Sequence, residues 1–307
     1  MLSLNCKVVV GNITLAYINN VTIESSTKEL SQTCVIHLPK STKLQDTDLL
    51  NLIGRGDTVE VWLGYNTDLR KEFEGYVTKV EPSVPFVIHC ENSAYLLKQA
   101  TVSQSWRNPH LSEIIAAITT TPAVVEEMQF GAFRINQTSP YKVIEGLREK
   151  FGIQSFFKNS VLHVGTVPPP QTAKYDFQQN IVSHNLTWKT KDEFNFGVKA
   201  VSVLPNNEIH EYTAGSNSGN TKTVTYYNLS EVELKRRAST LLQQQSYDGY
   251  DGEITTFGLP YIQHADIAEL RDNEYPTRSG SYQIEKTTVS FGQSGFRRTL
   301  KLGQRIV

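Results

Sequence analysis

The side chains able to do chemistry are scattered through this chain. Seven histidines fall in different predicted strands or loops, so none pairs with another at a spacing that aims two imidazoles at one ion. Cys34-Val35-Ile36-His37 offers a thiol and an imidazole three residues apart. On a strand that spacing faces opposite sides, and no second half-site follows. Asp57 with Glu60, and Asp266 with Glu269, are separated in the same way, which removes a general acid–base pair. Arg55-Gly56-Asp57 spells an adhesion tripeptide, but its place in a turn leading a strand is ordinary turn chemistry. HExxH, GxSxG, GxxxxGK(S/T) and GxGxxG are absent. The expectation is a protein that is not an enzyme and has no metal and no cofactor.

The remaining charged feature is the segment 271–307. It holds Arg271, Arg278, Lys286, Arg297, Arg298, Lys301 and Arg305 against Asp272, Glu274 and Glu285, a local charge of +4 in a chain whose net charge is -1. Its aromatics are not interleaved with the basic residues beyond Phe291 and Phe296, so sequence-specific nucleic-acid recognition is not expected. A docking face for an acidic partner fits better, as does the wall of a channel that DNA passes.

These residues must be held by strands. Val59, Val61 and Leu63 alternate after the turn Gly54–Asp57, Phe73–Val80 resumes the period, and Phe86–Cys90 closes a three-strand meander. The pattern recurs near the C-terminus. Ala265–Leu270 matches Gly56–Val61, and Ser279–Lys286 parallels Glu74–Lys79 with one extra residue between Gly and Tyr. Phe296–Leu302 stands where Phe86–Cys90 stood. An internal duplication explains that shared order. Between the copies the period changes. Leu111, Ile114, Ile115 and Ile118 form one helical face, and Ser139-Pro140 starts a second helix striped by Val143, Ile144, Leu147 and Phe151. A hairpin over 153–164 follows, and Pro168–Pro170 forms a linker. Ser230 and Glu233 form a capping box before Leu234, Ala238, Leu241 and Leu242. Asp248–Gly252 is expected to be a turn.

Fold class is therefore mainly β (α+β): two related small β-domains, each a barrel or a sandwich, 1–98 and 171–307, the second carrying one helix, flank an α/β insertion over 99–170; small β-barrels are what the resemblance given below implies for both. Cys6, Cys34 and Cys90 are unpaired in spacing and expected as buried free thiols. No apolar run approaches the roughly 20 residues that span a bilayer, so no membrane partner is expected. The N-terminus reads as a first strand rather than a signal peptide.

The chain resembles the baseplate hub proteins of contractile phage tails, a family that includes Mu-type hubs, late-control D proteins and the N-terminal half of the type VI spike protein VgrG. The residues carrying the likeness are Gly56–Val61, Glu74–Val77, Ser139–Ile153 with Phe156-Phe157, Gly280–Ile284 and Ser294–Arg298. The resemblance implies two tail-tube-like barrels per chain and a homotrimer of pseudo-sixfold symmetry, joining a hexameric tail tube protein to a trimeric central spike protein. It implies a virion or injection-system baseplate, made in a bacterial host cytoplasm. VgrG-type chains continue into a needle where this sequence stops, so the spike is expected on a separate polypeptide, and no lysozyme-like activity is expected. Interface residues are expected on the outward faces of Thr58, Glu60 and Trp62, of Ile267, Glu269 and Arg271, and at Phe296, Arg297 and Arg298. The rival reading is a carbohydrate-binding or adhesive tail-tip protein, which would set Trp62, Trp106 and Trp188 on one surface.

Overall fold

The computed structural model describes residues 3–15, 17–39, 51–190, 196–204, 208–215, 220–245, 248–276 and 279–306. Residues 40–50, 216–219 and Arg278 of the basic segment lie outside them.

The first half runs β1 (Leu4–Val10), β2 (Ile13–Leu15), β3 (Asn20–Ser26), β4 (Thr33–Leu38), β5 (Thr58–Tyr65), β6 (Asp68–Glu81) and β7 (Phe86–Glu91), ending in a short helix α1 (Ala94–Leu97). Ser93 stands at its N-cap without a side-chain capping bond, and the Asn92 side-chain oxygen accepts from the Ala94 amide at 3.2 Å. The second half runs β13 (Thr172–Asp176), β14 (Ile181–Lys189), β18 (Gly249–Phe257), β19 (Ile267–Arg271), β20 (Gly280–Gly292) and β21 (Gly295–Ile306). Strand order is β3-β4-β7-β6-β5-β1 in the first half and β14-β18-β21-β20-β19-β13 in the second. The two lists correspond strand for strand. They part only at the outer strand, since β1 lies antiparallel to β5 whereas β13 lies parallel to β19.

The correspondence extends to single hydrogen bonds. Asp57 accepts from the Gly54 amide at 2.8 Å, and Asp266 accepts from the Gln263 amide at 2.9 Å. Gly56 donates to the Val77 carbonyl and Val77 to that of Asp57, as Ala265 donates to Ile284 and Ile284 to Asp266. Both turns need a left-handed residue before the Asp, φ +94° at Gly56 and +63° at Ala265. Each central strand then bulges by one residue, between Val77 and Lys79 and between Ile284 and Lys286. Val77 therefore corresponds to Ile284, and Gly75 to Tyr282, one residue off the alignment read from Gly and Tyr. Both Val77 and Ile284 are fully buried, and burial, not residue identity, sets the register.

The expected separate barrels are not formed. β20 pairs with β3 over seven residues, Lys286↔Ser26 to Gly292↔Asn20, and merges both halves into one open thirteen-stranded sheet. The free edges at β3 and β20 satisfy each other instead of closing within their own halves. The tip of the β20–β21 hairpin also enters the first core, where Val289, Phe291 and Phe296 pack with Val21, Ile23 and Ile36. Cys6, Cys34 and Cys90 are buried free thiols on β1, β4 and β7.

The insertion holds α2 (Leu111–Ile118), α3 (Pro140–Phe151) and two small sheets, β8 (Val102–Trp106) with β10 (Phe133–Thr138), and β11 (Ser155–Lys158) with β12 (Val161–Val164) and β9 (Ala123–Val125). Ser139 accepts from the Lys142 amide at the start of α3, and Gly152 ends it at φ +67°. One further unit was not legible as such. β15 (Phe196–Val203), β16 (Ile209–Gly215) and β17 (Asn220–Tyr227) form their own sheet, packed by α4 (Glu231–Gln245) around Val198, Ala200, Val224, Leu234 and Ala238. It is spliced between β14 and β18 rather than belonging to the second half's sheet. Gly249–Gly252 is strand, not turn. A Cβ on Gly252 would stand 2.0 Å from the Asn185 carbonyl, so glycine permits β14 to approach.

The two Asp turns carry unequal loads. Asp57 makes its turn near the surface, while Asp266 also binds the Lys158 ammonium at 2.6 Å, both side chains buried. Asp57→Ala should cost about 1 kcal/mol for one hydrogen bond. Asp266→Ala leaves a buried lysine unpaired and should cost about 3–5 kcal/mol. Urea unfolding measures both, and equal losses would contradict this account.

Candidate docking faces

On the outward face of β5, Glu60 and Trp62 gather around Lys71 of β6. The ammonium lies 2.7 Å from Glu60, 3.0 Å from Glu74 and 5.3 Å from the Trp62 ring centroid. Hydrogen bonding to Lys71 holds the Glu60 carboxyl below its ordinary range, and the bonds to Glu60 and Glu74 raise the lysine. All these groups are partly exposed, so the cluster is worth under about 1 kcal/mol per pair and serves to orient a surface rather than to stabilise the fold. Thr58, at the head of the strand, is exposed.

Glu269 is the repeat equivalent of Glu60. Its lysine comes from the other neighbour, Lys174 on β13, 3.9 Å away. Ile267 is half-buried, and Arg271, opposite Asp176 in the parallel pair, is exposed. The two halves thus present similar acid–lysine faces on equivalent strands.

The third expected group is split. Phe296 is buried against Phe291 and Tyr65, at centroid distances of 5.6 and 5.7 Å. Only Arg297 reaches the surface, over the Phe257 ring. Arg298, 1% exposed, points into the protein. It binds Glu72 of the first half at 2.6 Å, donates to the Gly258 and Ile262 carbonyls, and lies over the Tyr261 ring. Strand alternation with Phe296, Leu300 and Leu302 already placed it on the core face. The surface expectation for Phe296 and Arg298 therefore does not hold. Nor is the basic segment one field, since Lys286 pairs with Glu24 and Lys301 with Glu285.

Sequence reasoning missed the partners that make this region distinctive. The loop 258–266 joins β18 to β19 and carries Tyr261, His264 and Asp266 against all three of the first half, insertion and second half. No spacing could reveal it, because Glu72 and Arg298 lie 226 positions apart. Burial raises the Glu72 carboxyl, opposed by the Arg298 charge.

The three tryptophans do not share a surface. Trp62 lies under Lys71, Trp106 packs on Phe133 in the insertion, and Trp188 stands edge-on to Tyr250 in the second half. Two clefts of about 160 and 220 Å³ are smaller than the roughly 300–1,000 Å³ typical of ligand pockets. No group of three or more His, Cys, Asp or Glu gathers as a metal cage among the described residues.

Arg298→Met should cost about 3–5 kcal/mol at neutral pH by leaving Glu72 buried and ionised. A raised carboxyl stabilises below its unfolded pKa and loses that contribution as pH rises, so the variant should recover part of the loss in acid. Glu72→Leu combined with Arg298→Met should restore most of it. Denaturant midpoints at pH 7 and pH 4 test this; a variant equally weak at both would contradict it.

No known protein-family model matches the sequence, and no curated protein does. Solved structures do. A tail protein from Neisseria meningitidis superposes with a TM-score of 0.69 at 14% identity, covering 98% of this chain and 96% of that one. The 43 kDa tail protein of prophage MuSo2 from Shewanella oneidensis gives 0.67 at 13%, covering 98% of each. An E. coli type VI secretion component, described as similar to the T4 tail proteins gp27 and gp5, gives 0.59 at 8%, covering 98% and 79%. The chain has the fold of phage and prophage tail proteins and of that secretion component.

Proposed function

We propose that this chain is a structural, non-enzymatic hub of a phage tail baseplate or of a phage-derived injection device. In this reading three copies form a ring, the six half-sheets meet a hexameric tube, and the threefold axis receives a trimeric spike. The observation that carries the reading is the duplication: two halves of matching strand order, turn and bulge within one chain. A threefold assembly can satisfy a sixfold partner only if each chain offers two similar faces, and an internal repeat supplies them. The fold shared with tail proteins supports the setting. Thr58, Glu60, Trp62, Ile267, Glu269, Arg271 and Arg297 are the proposed contacts, within obligate interfaces above about 2,000 Å².

Light scattering should give a mass three times the 34.6 kDa of one chain, stable on dilution. Thr58→Arg with Arg271→Glu changes two exposed positions and should leave the thermal midpoint in place while abolishing capture of the cognate tube protein. A monomer at every concentration, with the spike protein added as well, would overturn the reading.

A further inference from the structure

We propose that His264 is a proton-operated latch that ties the insertion to both halves of the sheet at neutral pH and releases it in acid. The imidazole is 2% exposed and lies in the loop 258–266. Its Nε2 stands 2.8 Å from the Phe157 carbonyl of β11, which can only accept, so Nε2 carries the proton. Its Nδ1 stands 2.9 Å from the Ser25 hydroxyl of β3, and in the neutral ring that nitrogen accepts. Ser25 in turn lies 2.7 Å from the Thr287 hydroxyl of β20. One tautomer thus joins three parts of the chain through three hydrogen bonds.

An imidazolium at this place meets no uncommitted carboxylate among the described residues, although the Asp266 charge and the Phe157 carbonyl both favour it. From its own loop, Asp266 is committed to Lys158, Gln171 and Gln263. The Lys158 charge from β11 opposes a second cation, and so does His163 of β12, on the far side of Phe156. β3 and β20 contribute only the hydroxyls of Ser25 and Thr287. Burial, the largest cause, moves His264 down to about 4. Protonation at Nδ1 also reverses the Ser25 and Thr287 hydroxyls. The charge is solvated only if the ring leaves its site, which breaks the Phe157 bond and weakens the hold on the β11–β12 hairpin, leaving the Lys158–Asp266 pair as its remaining polar tie to the loop.

The direction follows from the lowered pKa. A base depressed on folding contributes fully above its unfolded value near 6.5 and loses that contribution as pH falls toward 4. The closed-to-open ratio of the hairpin should fall on the order of a hundredfold across that range.

Hydrogen exchange by mass spectrometry, corrected for intrinsic rates, reads this at pH 7 and pH 4. In the wild type the amides of 155–164 should lose protection roughly a hundredfold while those of β5 and β6 hold. His264→Gln keeps a donor and an acceptor but cannot titrate, and should abolish the local loss. The same acid loss in His264→Gln, or its removal by His163→Gln instead, would overturn the proposal. Should the glutamine variant fail to fold, the His264 ring can be followed by NMR in the wild type, and a midpoint near 6.5 would overturn it equally.

Discussion

A strand has two edges, and β20 must serve three neighbours. One edge belongs to β21 along its length. The other passes from β19 over Gly280–Gln283 to β3 over Lys286–Gly292. The handover falls at Ile284 and Glu285, where the strand bulges and its twist is re-aimed. Everything that makes one sheet of two halves depends on that handover. The same bulge exists in the first half at Thr78, but there the strand ends at Glu81 and takes on no third neighbour. The duplicated unit thus carried the means of joining, and the longer second hairpin used it.

The joint is surrounded by polar groups that a purely apolar core would not need. Arg298 occupies the place that Phe86 fills in the first half, by the paired register of β7 and β21, and both are buried. Replacing a phenylalanine by an arginine costs desolvation, which the pair with Glu72 and the two carbonyls offset. Such groups add little net stability over well-packed apolar residues. Their effect is to penalise every arrangement in which the halves or the insertion sit differently, because each then strands a buried charge. Rigid relative placement is what the proposed hub role would require.

Much of the fold was legible in the sequence. Period-two runs gave the strands, Ser139-Pro140 and Gly152 bounded a helix, and Asp57 and Asp266 marked the repeat because both turns require an oxygen acceptor at that position. The register slipped by one because Gly and Tyr were aligned as identities, whereas the buried pair Val77 and Ile284 fixes it. The unit over 196–245 was invisible because its strands have the same period as the sheet around them, and only pairing separates them. Of the proposed docking residues, those on β5 and β19 lie outward or half-outward as strand alternation requires. Arg298 carries a charge that suggests the surface, while its parity with Phe296 and Leu300 puts it on the core face. The loop 258–266 has no period, and its partners are supplied by distant chain.

The proposed hub role needs the two halves to act as equivalent units around a threefold assembly. Electron cryomicroscopy of the purified protein, viewed along its symmetry axis, tests it most directly. The expected image is a ring of three chains showing six similar lobes, with β5 and β19 at matching radius. A ring of any other number, or three chains whose halves stand at unlike radii, would contradict it.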